Sequence, residues 1–169
     1  CTATNVTIGN ATSLDNCNSS ISPTNNSSEP YSRGITNITW IADDGNGNFN
    51  TCLQTVTVIY PEINIIGNGN PIMDGDISPS INDETDFGPQ LPNSITDRTF
   101  SIQNLGTENL YLIGTPIVSI SGDSEFSIQS QPSANNIAVD GANLSFEVRY
   151  TPTVSGFHTA VITLSSNDC

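Results

Sequence analysis

Two stretches rich in Asp, Asn and Gly hold the residues whose types and spacing could bind a cation. In the first, DDGNGN, Asp44, Asn46 and Asn48 occupy the first, third and fifth positions of a calcium-binding loop. Phe49 stands where that loop needs glycine, and Thr55 stands where it needs a bidentate glutamate. Because Asp-Gly and Asn-Gly are strong signals for tight turns, we predict a β-hairpin tip here in preference to a calcium site.

The second stretch, MDGDISPSINDETDFG, is the better calcium candidate, because its carboxylates are clustered and calcium prefers oxygen ligands. The predicted ligands are Asp74, Asp76, Asp83 and Asp86. The alternative is a solvated acidic loop between two strands, in which Asp and Asn begin turns. Calcium is therefore the one cofactor that the sequence suggests, and the sequence requires none.

The other reactive residue types form no pattern typical of an enzyme. His158 is the only histidine, and neither a cysteine nor a second histidine lies near it in the sequence. The Gly-x-Ser-x-Gly motif is absent, and 17 Asp and Glu residues are too many to single out a glycosidase pair. Trp40 could stack on a sugar, but its place on one strand face with Ile38 predicts a core residue. We therefore predict a chain without catalytic activity.

The charge balance argues against whole classes of partner. The chain has three arginines, no lysine and a net charge of −14. Nucleic acids and anionic membrane surfaces both attract proteins through Lys and Arg, so neither is expected as a partner. The sequence has no run of 18 apolar residues, so no membrane-spanning helix is predicted.

The composition is typical of a secreted β-protein. Only 12% of the residues are charged, Asn, Ser and Thr are abundant, and no window shows helical apolar spacing over three turns. Tyr60-Pro61 interrupts the alternating stretch TCLQTVTVI and separates it from EINII. We predict an all-β protein made of two tandem immunoglobulin-like β-sandwich modules, residues 1–60 and 61–169.

Alternating apolar and polar residues predict the strands of both modules. In the first module the predicted strands are Thr4–Ile8, Gly34–Ala42 and Thr51–Ile59. In the second module they are Glu62–Ile66, Arg98–Gln103, Asn109–Ile113, Ile117–Ser121, Glu125–Ile128, Asn143–Tyr150 and Phe157–Ser165. Turn signals recur about every eight to twelve residues in the second module, a spacing typical of a sandwich.

The first module resembles the hyalin-repeat (HYR) domain. The resemblance is carried by LDNC and by GITNITWIADDGNGNFNTCLQTVTV, which match the family's Asp-Asn-Cys, its Thr-Trp strand and turn, and its closing strand around Cys-x-Gln. It covers most of residues 1–60 and is most specific over residues 34–58. It implies an immunoglobulin-like fold with a disulfide between Cys17 and Cys52. Such a bridge would add about 3–4 kcal/mol to a small and polar module.

The second module is similar to the choice-of-anchor D repeats, which belong with the ASPM–SPD-2–Hydin type of immunoglobulin-like domains. The similarity is carried by PEINIIGNGNPIMDGDISPSINDETDFG, RTFSIQNLGTENLYLIGTPIVSISG and FEVRYTPTVSGFHTAVITLSSNDC. It covers nearly all of residues 61–169 and implies a second immunoglobulin-like sandwich.

Together the two resemblances imply a large, secreted, multi-repeat protein of the cell surface, of a kind frequent in Bacteroidetes. Such proteins act as adhesins, as gliding-type surface filaments or as stalks for enzymes. The expected function is a non-catalytic structural or adhesive module of an extracellular, cell-surface protein. The alternative is an accessory domain pair of a secreted polysaccharide hydrolase, which exposed aromatic side chains would favour.

Both families normally have one more strand than each module contains. HYR domains have a further N-terminal strand, and choice-of-anchor D repeats continue past SNDC into another strand. We therefore expect each module to lack one strand, which neighbouring repeats or other chains supply by β-augmentation. Cys1 is expected to be an internal cysteine of a longer protein, and a surface glycan or protein is the expected ligand.

Overall fold

The computed structural model describes residues 1–16 and 21–169, and the regular structure in them consists of β-strands. The chain divides into two compact units, Cys1–Tyr60 and Pro61–Cys169. The division falls at a proline, which lacks the N–H group that a continuing strand would need. The predicted all-β fold class is confirmed by antiparallel sheets in both units.

The described residues of the first unit, 1–16 and 21–60, form five strands: β1 (Thr2–Ala3), β2 (Thr24–Asn25), β3 (Tyr31–Ser32), β4 (Gly34–Asp43) and β5 (Phe49–Val58). Antiparallel pairing joins β1 to β3 and places β4 between β2 and β5. Strands β4 and β5 pair without a break from Gly34↔Val58 to Asp43↔Phe49. This hairpin is formed by the two longest strands of the unit, each of ten residues. Its many Thr, Ile and Val side chains suit the pleated surface of a sheet.

The core of the first unit is built around Trp40 and Ile38 on β4, together with Tyr31. The spacing of two between Ile38 and Trp40 directs both side chains to one face of the strand. The Trp40 Nε1–H donates to Gln54 Oε1 at 2.8 Å, and Gln54 Nε2 donates to the Ile8 carbonyl at 2.6 Å. The prediction that Trp40 is a core residue is confirmed, because its indole is buried and its N–H is paired.

The strand predicted over Thr4–Ile8 is wrong. Asn5 has a φ of 58°, which is left-handed rather than extended. The segment is held instead by Glu29, whose carboxylate accepts the Asn5 N–H at 2.8 Å and the Val6 N–H at 2.6 Å. Its apolar residues still point inward, since Val6 and Ile8 pack against the core of the unit.

The second unit contains nine strands: β6 (Ile63–Gly67), β7 (Asn70–Ile72), β8 (Thr96–Asn104), β9 (Leu110–Tyr111), β10 (Val118–Gly122), β11 (Phe126–Ser130), β12 (Asn136–Ile137), β13 (Leu144–Tyr150) and β14 (Ala160–Leu164). The larger sheet has the order β11-β13-β8-β6-β7, while β10 pairs with β14 and β9 pairs with β12. All seven predicted strands overlap an observed strand, and β7 and β12 are additions.

The core of the second unit lies between the larger sheet and the smaller strand pairs. Phe100 on β8 is directly opposite Phe146 on β13, and their stacked rings are 5.4 Å apart. Leu110 and Val118, from the smaller pairs, are as deeply buried as these rings and belong to the same cluster. On β13, Phe146, Val148 and Tyr150 point inward as their alternation predicts, which is the arrangement of a sandwich.

Candidate functional site

The Asp44 carboxylate organises the tip of the β4–β5 hairpin. Its Oδ1 accepts the backbone N–H groups of Asn46 at 2.7 Å and Asn48 at 3.1 Å, and its Oδ2 accepts Asn48 Nδ2 at 2.8 Å. Asp43 Oδ1 accepts the Gly45 N–H at 2.8 Å, and Gly45 has a φ of 76°, which suits glycine. The predicted hairpin tip is confirmed, and its carboxylates bind the turn's own backbone.

These hydrogen bonds lower the pKa of Asp44 below the ordinary 3.8, with the Asn48 side chain as the first cause. The carboxylate therefore stabilises the folded turn above the unfolded pKa, and this stabilisation is lost as the pH falls through the folded pKa.

In an NMR titration of side-chain carboxyl carbons, we expect Asp44 to titrate below 3.8 and the Asn48→Ala substitution to raise its midpoint. Asn46→Ala is the control, because Asn46 binds Asp44 Oδ1 through its backbone N–H, which alanine keeps. An unchanged midpoint in Asn48→Ala would contradict the assignment.

The predicted calcium ligands lie in the acidic loop, residues 73–95 between β7 and β8. Three of them accept a hydrogen bond from the backbone N–H two residues further on: Ser78 to Asp76 (2.8 Å), Thr85 to Asp83 (3.0 Å) and Gly88 to Asp86 (2.8 Å). This is the Asx-turn geometry, in which an Asp side chain takes the place of a backbone carbonyl. These carboxylates hold the shape of the loop, as Asp43 and Asp44 do at the hairpin tip.

Asp83 points into the second unit and is only 8% exposed. Its Oδ1 also accepts the Thr85 hydroxyl at 2.6 Å. The neighbouring carbonyl of Asn82 accepts Asn70 Nδ2 at 2.7 Å and Asn68 Nδ2 at 3.2 Å, which fastens the acidic loop to the turn between β6 and β7. Because Asp83 is buried and the Asn82 carbonyl is bound by the turn between β6 and β7, this part of the loop is packed against the rest of the second unit.

The four predicted ligands are not brought together. Within residues 1–16 and 21–169, no three His, Cys, Asp or Glu side chains gather as a metal-binding group. Asp74, Asp76, Asp83 and Asp86 follow one another along the loop, and three of them serve turns of their own. Calcium binding therefore gains no support from the geometry and stays a prediction.

If the acidic loop is held only by its own turns, calcium should leave the stability of the second unit unchanged. A folded-state site saturated at about 100 times its Kd would add roughly 2.7 kcal/mol, which thermal unfolding easily detects. In that case the melting temperature of the purified chain is the same with excess calcium and with a chelator, whereas the calcium prediction requires it to rise with calcium. Magnesium serves as the control for ionic strength. A rise that needs calcium and disappears in Asp74→Asn would show that the loop rearranges around the ion.

His158 lies beside Tyr150, with its Nδ1 2.9 Å from the phenol oxygen. Burial raises the pKa of Tyr150, and Glu125 and Asp123 raise it further. Asp123 Oδ2 accepts the Thr159 N–H at 2.6 Å, so this carboxylate holds the chain that enters β14. These contacts hold β13 and the start of β14 together at this end of the second unit.

No protein-family model, curated protein or solved structure matches this chain. The resemblances to HYR domains and to choice-of-anchor D repeats therefore stay predictions. In the part of the chain that the structure describes, no helix is long and apolar enough to cross a membrane.

Three of the four cysteines lie in the described residues, and they differ in whether they are disulfide-bonded. Cys1 and Cys169 are each disulfide-bonded. Cys52 on β5 is free and exposed in this structure. Cys17 lies outside the described residues, so the Cys17–Cys52 disulfide also stays a prediction.

Proposed function

We propose that this chain is a non-catalytic structural or adhesive module of a large secreted protein at a cell surface or in an extracellular filament. The observation that carries the proposal is the use of the polar side chains. Asp side chains, which supply most of the candidate calcium ligands, bind the backbone of their own turns in both units. Side chains used in this way stiffen loops and do not converge on a substrate.

The tandem arrangement of the two units supports the same proposal. Each unit has its own core cluster, and the two units follow one another at Tyr60-Pro61 without an intervening segment. The loops are braced by Asx turns, and a salt bridge between Arg149 Nε and Asp97 Oδ1, 2.7 Å apart, joins the paired strands β13 and β8. Both features suit a spacer that must hold its form outside the cell. The resemblances of both modules to repeats of surface proteins agree with this location.

Labelling of intact cells tests the proposal. Antibodies raised against the purified chain should bind intact producer cells or their filaments, and protease treatment of intact cells should remove the signal. An antibody against a cytoplasmic enzyme is the control, and it should bind only after permeabilisation. Labelling by the first antibody that also needs permeabilisation would overturn the proposed location.

The alternative, an accessory domain pair of a polysaccharide hydrolase, needs an exposed aromatic surface. Trp40 is buried, whereas Phe157 is fully exposed between β13 and β14. Sedimentation of the chain with insoluble polysaccharides separates the two functions. A purely structural module, or an adhesive one with a protein ligand, is expected to stay in solution. Retention that is lost in Phe157→Ala would favour the alternative.

A further inference from the structure

The outer edge of β5 lacks the features that normally protect a sheet edge. Among the described residues, no strand pairs with the side of β5 that faces away from β4. The strand is ten residues long and contains no charged residue and no proline. Sheet edges are usually blunted by short strands, charges, prolines or bulges, because an open edge can pair with another chain.

The second unit shows the protection that β5 lacks. The larger sheet ends on one side in β7, which has three residues and includes Pro71. It ends on the other side in β11, whose pairing with β13 shifts register between Ile128 and Ser130. In the first unit, β2 has only two residues. The open edge of β5 therefore differs from the edges of the larger sheet and from β2.

The hydrogen bonds of β4 show which backbone groups of β5 face away from β4. The Thr39 N–H donates to Asn26 Oδ1 at 2.8 Å, and its carbonyl accepts the Asn26 N–H at 3.3 Å, so both groups of Thr39 face away from β5. Leu53 is directly opposite Thr39, and its N–H and C=O must therefore face away from β4. The backbone N–H and C=O groups face away from β4 at every second residue of β5. These residues are Phe49, Thr51, Leu53, Thr55 and Thr57.

We propose that β5 pairs antiparallel with β5 of a second copy of this chain. Leu53 is the midpoint of the five outward-facing residues, so a two-fold axis there uses all of them. Leu53 then lies opposite Leu53 of the copy, Thr51 opposite Thr55, and Phe49 opposite Thr57. Every outward N–H and C=O finds a partner in this register, where the Thr51 N–H exchanges Asn50 Oδ1, its acceptor at 2.9 Å in the single chain, for a carbonyl of the copy. Thr–Thr and apolar pairs are favourable across strands.

The charge distribution favours a second copy as the partner. Two chains of net charge −14 repel one another least where they meet at a neutral surface, and β5 is neutral along its whole length. Asp43 and Asp44 lie at one end of β5, so antiparallel pairing places the two acidic tips at opposite ends of the joined strands. That separation is about 30 Å for ten residues, several times the Debye length of roughly 8 Å at physiological salt.

This inference deepens the proposed function and rests on it, because it names the partner that completes the sheet of the first unit. Sedimentation equilibrium of the purified chain over a concentration series is the test. We expect a reversible monomer–dimer equilibrium that strengthens as salt screens the net charge. Hydrogen exchange should show protection of the Leu53 and Thr55 amides that increases with concentration. A monomer at every concentration, with unchanged exchange at these amides, would overturn the inference.

Two substitutions distinguish strand pairing from other association. Thr55→Pro removes one outward N–H from each copy, and proline is tolerated on an edge strand, so we expect the Kd of the dimer to rise roughly tenfold or more. Thr55→Ala keeps the N–H and should leave the Kd close to that of the original chain. Leu53→Lys places like charges opposite one another on the two-fold axis and should also weaken the dimer. Fluorescence of Trp40, the single tryptophan and a core residue, checks that each variant is folded.

The outcomes separate this inference from the proposed function. A dimer whose Kd is the same in Thr55→Pro and Thr55→Ala would show association elsewhere and overturn pairing through β5. A monomeric chain on intact cells would overturn the self-pairing alone. A β5 dimer in a chain that antibodies reach only after permeabilisation would overturn the proposed location and leave the pairing in place.

Discussion

Alanine in place of Gly67 is expected to destabilise the second unit by about 3 kcal/mol, at the upper end of the usual cost of overpacking. A Cβ at Gly67 would collide with the carbonyl oxygen of Asp83 and would lie 3.0 Å from the Phe100 ring. The obstacle is backbone, which cannot turn aside as a flexible side chain can. Strand β6 or the acidic loop must therefore move, and either movement disturbs the contacts that hold the two together.

Urea unfolding followed by circular dichroism measures this effect. Gly69→Asn is the matched control, because Gly69 is two residues away, has a φ of 78° and has open space around its Cβ position. Asparagine tolerates that left-handed conformation, so the control should lose little stability. If Gly67→Ala were as stable as Gly69→Asn, the close approach of Asp83 to β6 would be wrong.

The strands that the sequence predicts well are those whose pairing is local. Strands β4 and β5 alternate along their length and are joined by a stretch with Asp-Gly and Asn-Gly, so pattern and turn agree. The same turn rule applies to Asn68-Gly69, which joins β6 to β7 with φ values of 49° and 78°. Pro71 obscures β7 in the sequence, because proline argues against a strand except at an edge, which is where β7 lies.

The predictions that fail or stay open depend on contacts between distant residues. Thr4–Ile8 has the alternation of a strand, yet Glu29 takes the N–H groups of Asn5 and Val6 that a sheet would need. No periodicity in residues 4–8 could reveal a carboxylate so far along the chain. Burial of Asp83 likewise depends on Gly67, sixteen positions earlier by their residue numbers, which leaves room for its backbone.

The candidate site shows why residue types alone could not separate a metal site from a turn. Calcium ligands and Asx turns both use carboxylate oxygens in flexible loops, so the acidic loop satisfies either interpretation in sequence. The decision lies in whether the oxygens converge. Asp76 and Asp86 each bind the N–H two residues on, so the geometry supports the turn.

Truncation of Phe146 to alanine is expected to have the largest effect on stability, a loss of about 3–5 kcal/mol. Phe146 is 2% exposed and stacks on Phe100 where β8 and β13 pair, at the centre of the larger sheet. Its removal leaves a cavity between layers that are fixed on both sides by paired strands, so collapse around the gap is limited. A typical domain is stable by only about 5–15 kcal/mol, so the second unit would lose a large share of its total.

Phe157→Ala is the matched control for Phe146→Ala, because the same ring is removed from a fully exposed position and should change stability by no more than about 0.5 kcal/mol. Circular dichroism reports the unfolding of both units, while Trp40 fluorescence reports the first alone, so a transition seen only by circular dichroism belongs to the second unit. The two core clusters share no residue, so the Trp40 transition should stay in place when Phe146 is truncated. A shift of both transitions together would show that the units unfold as one, and equal stability of the two Phe variants would remove Phe146 from the core. A spacer made of two independent units requires the Trp40 transition to stay in place, because each unit must then remain folded without support from the other.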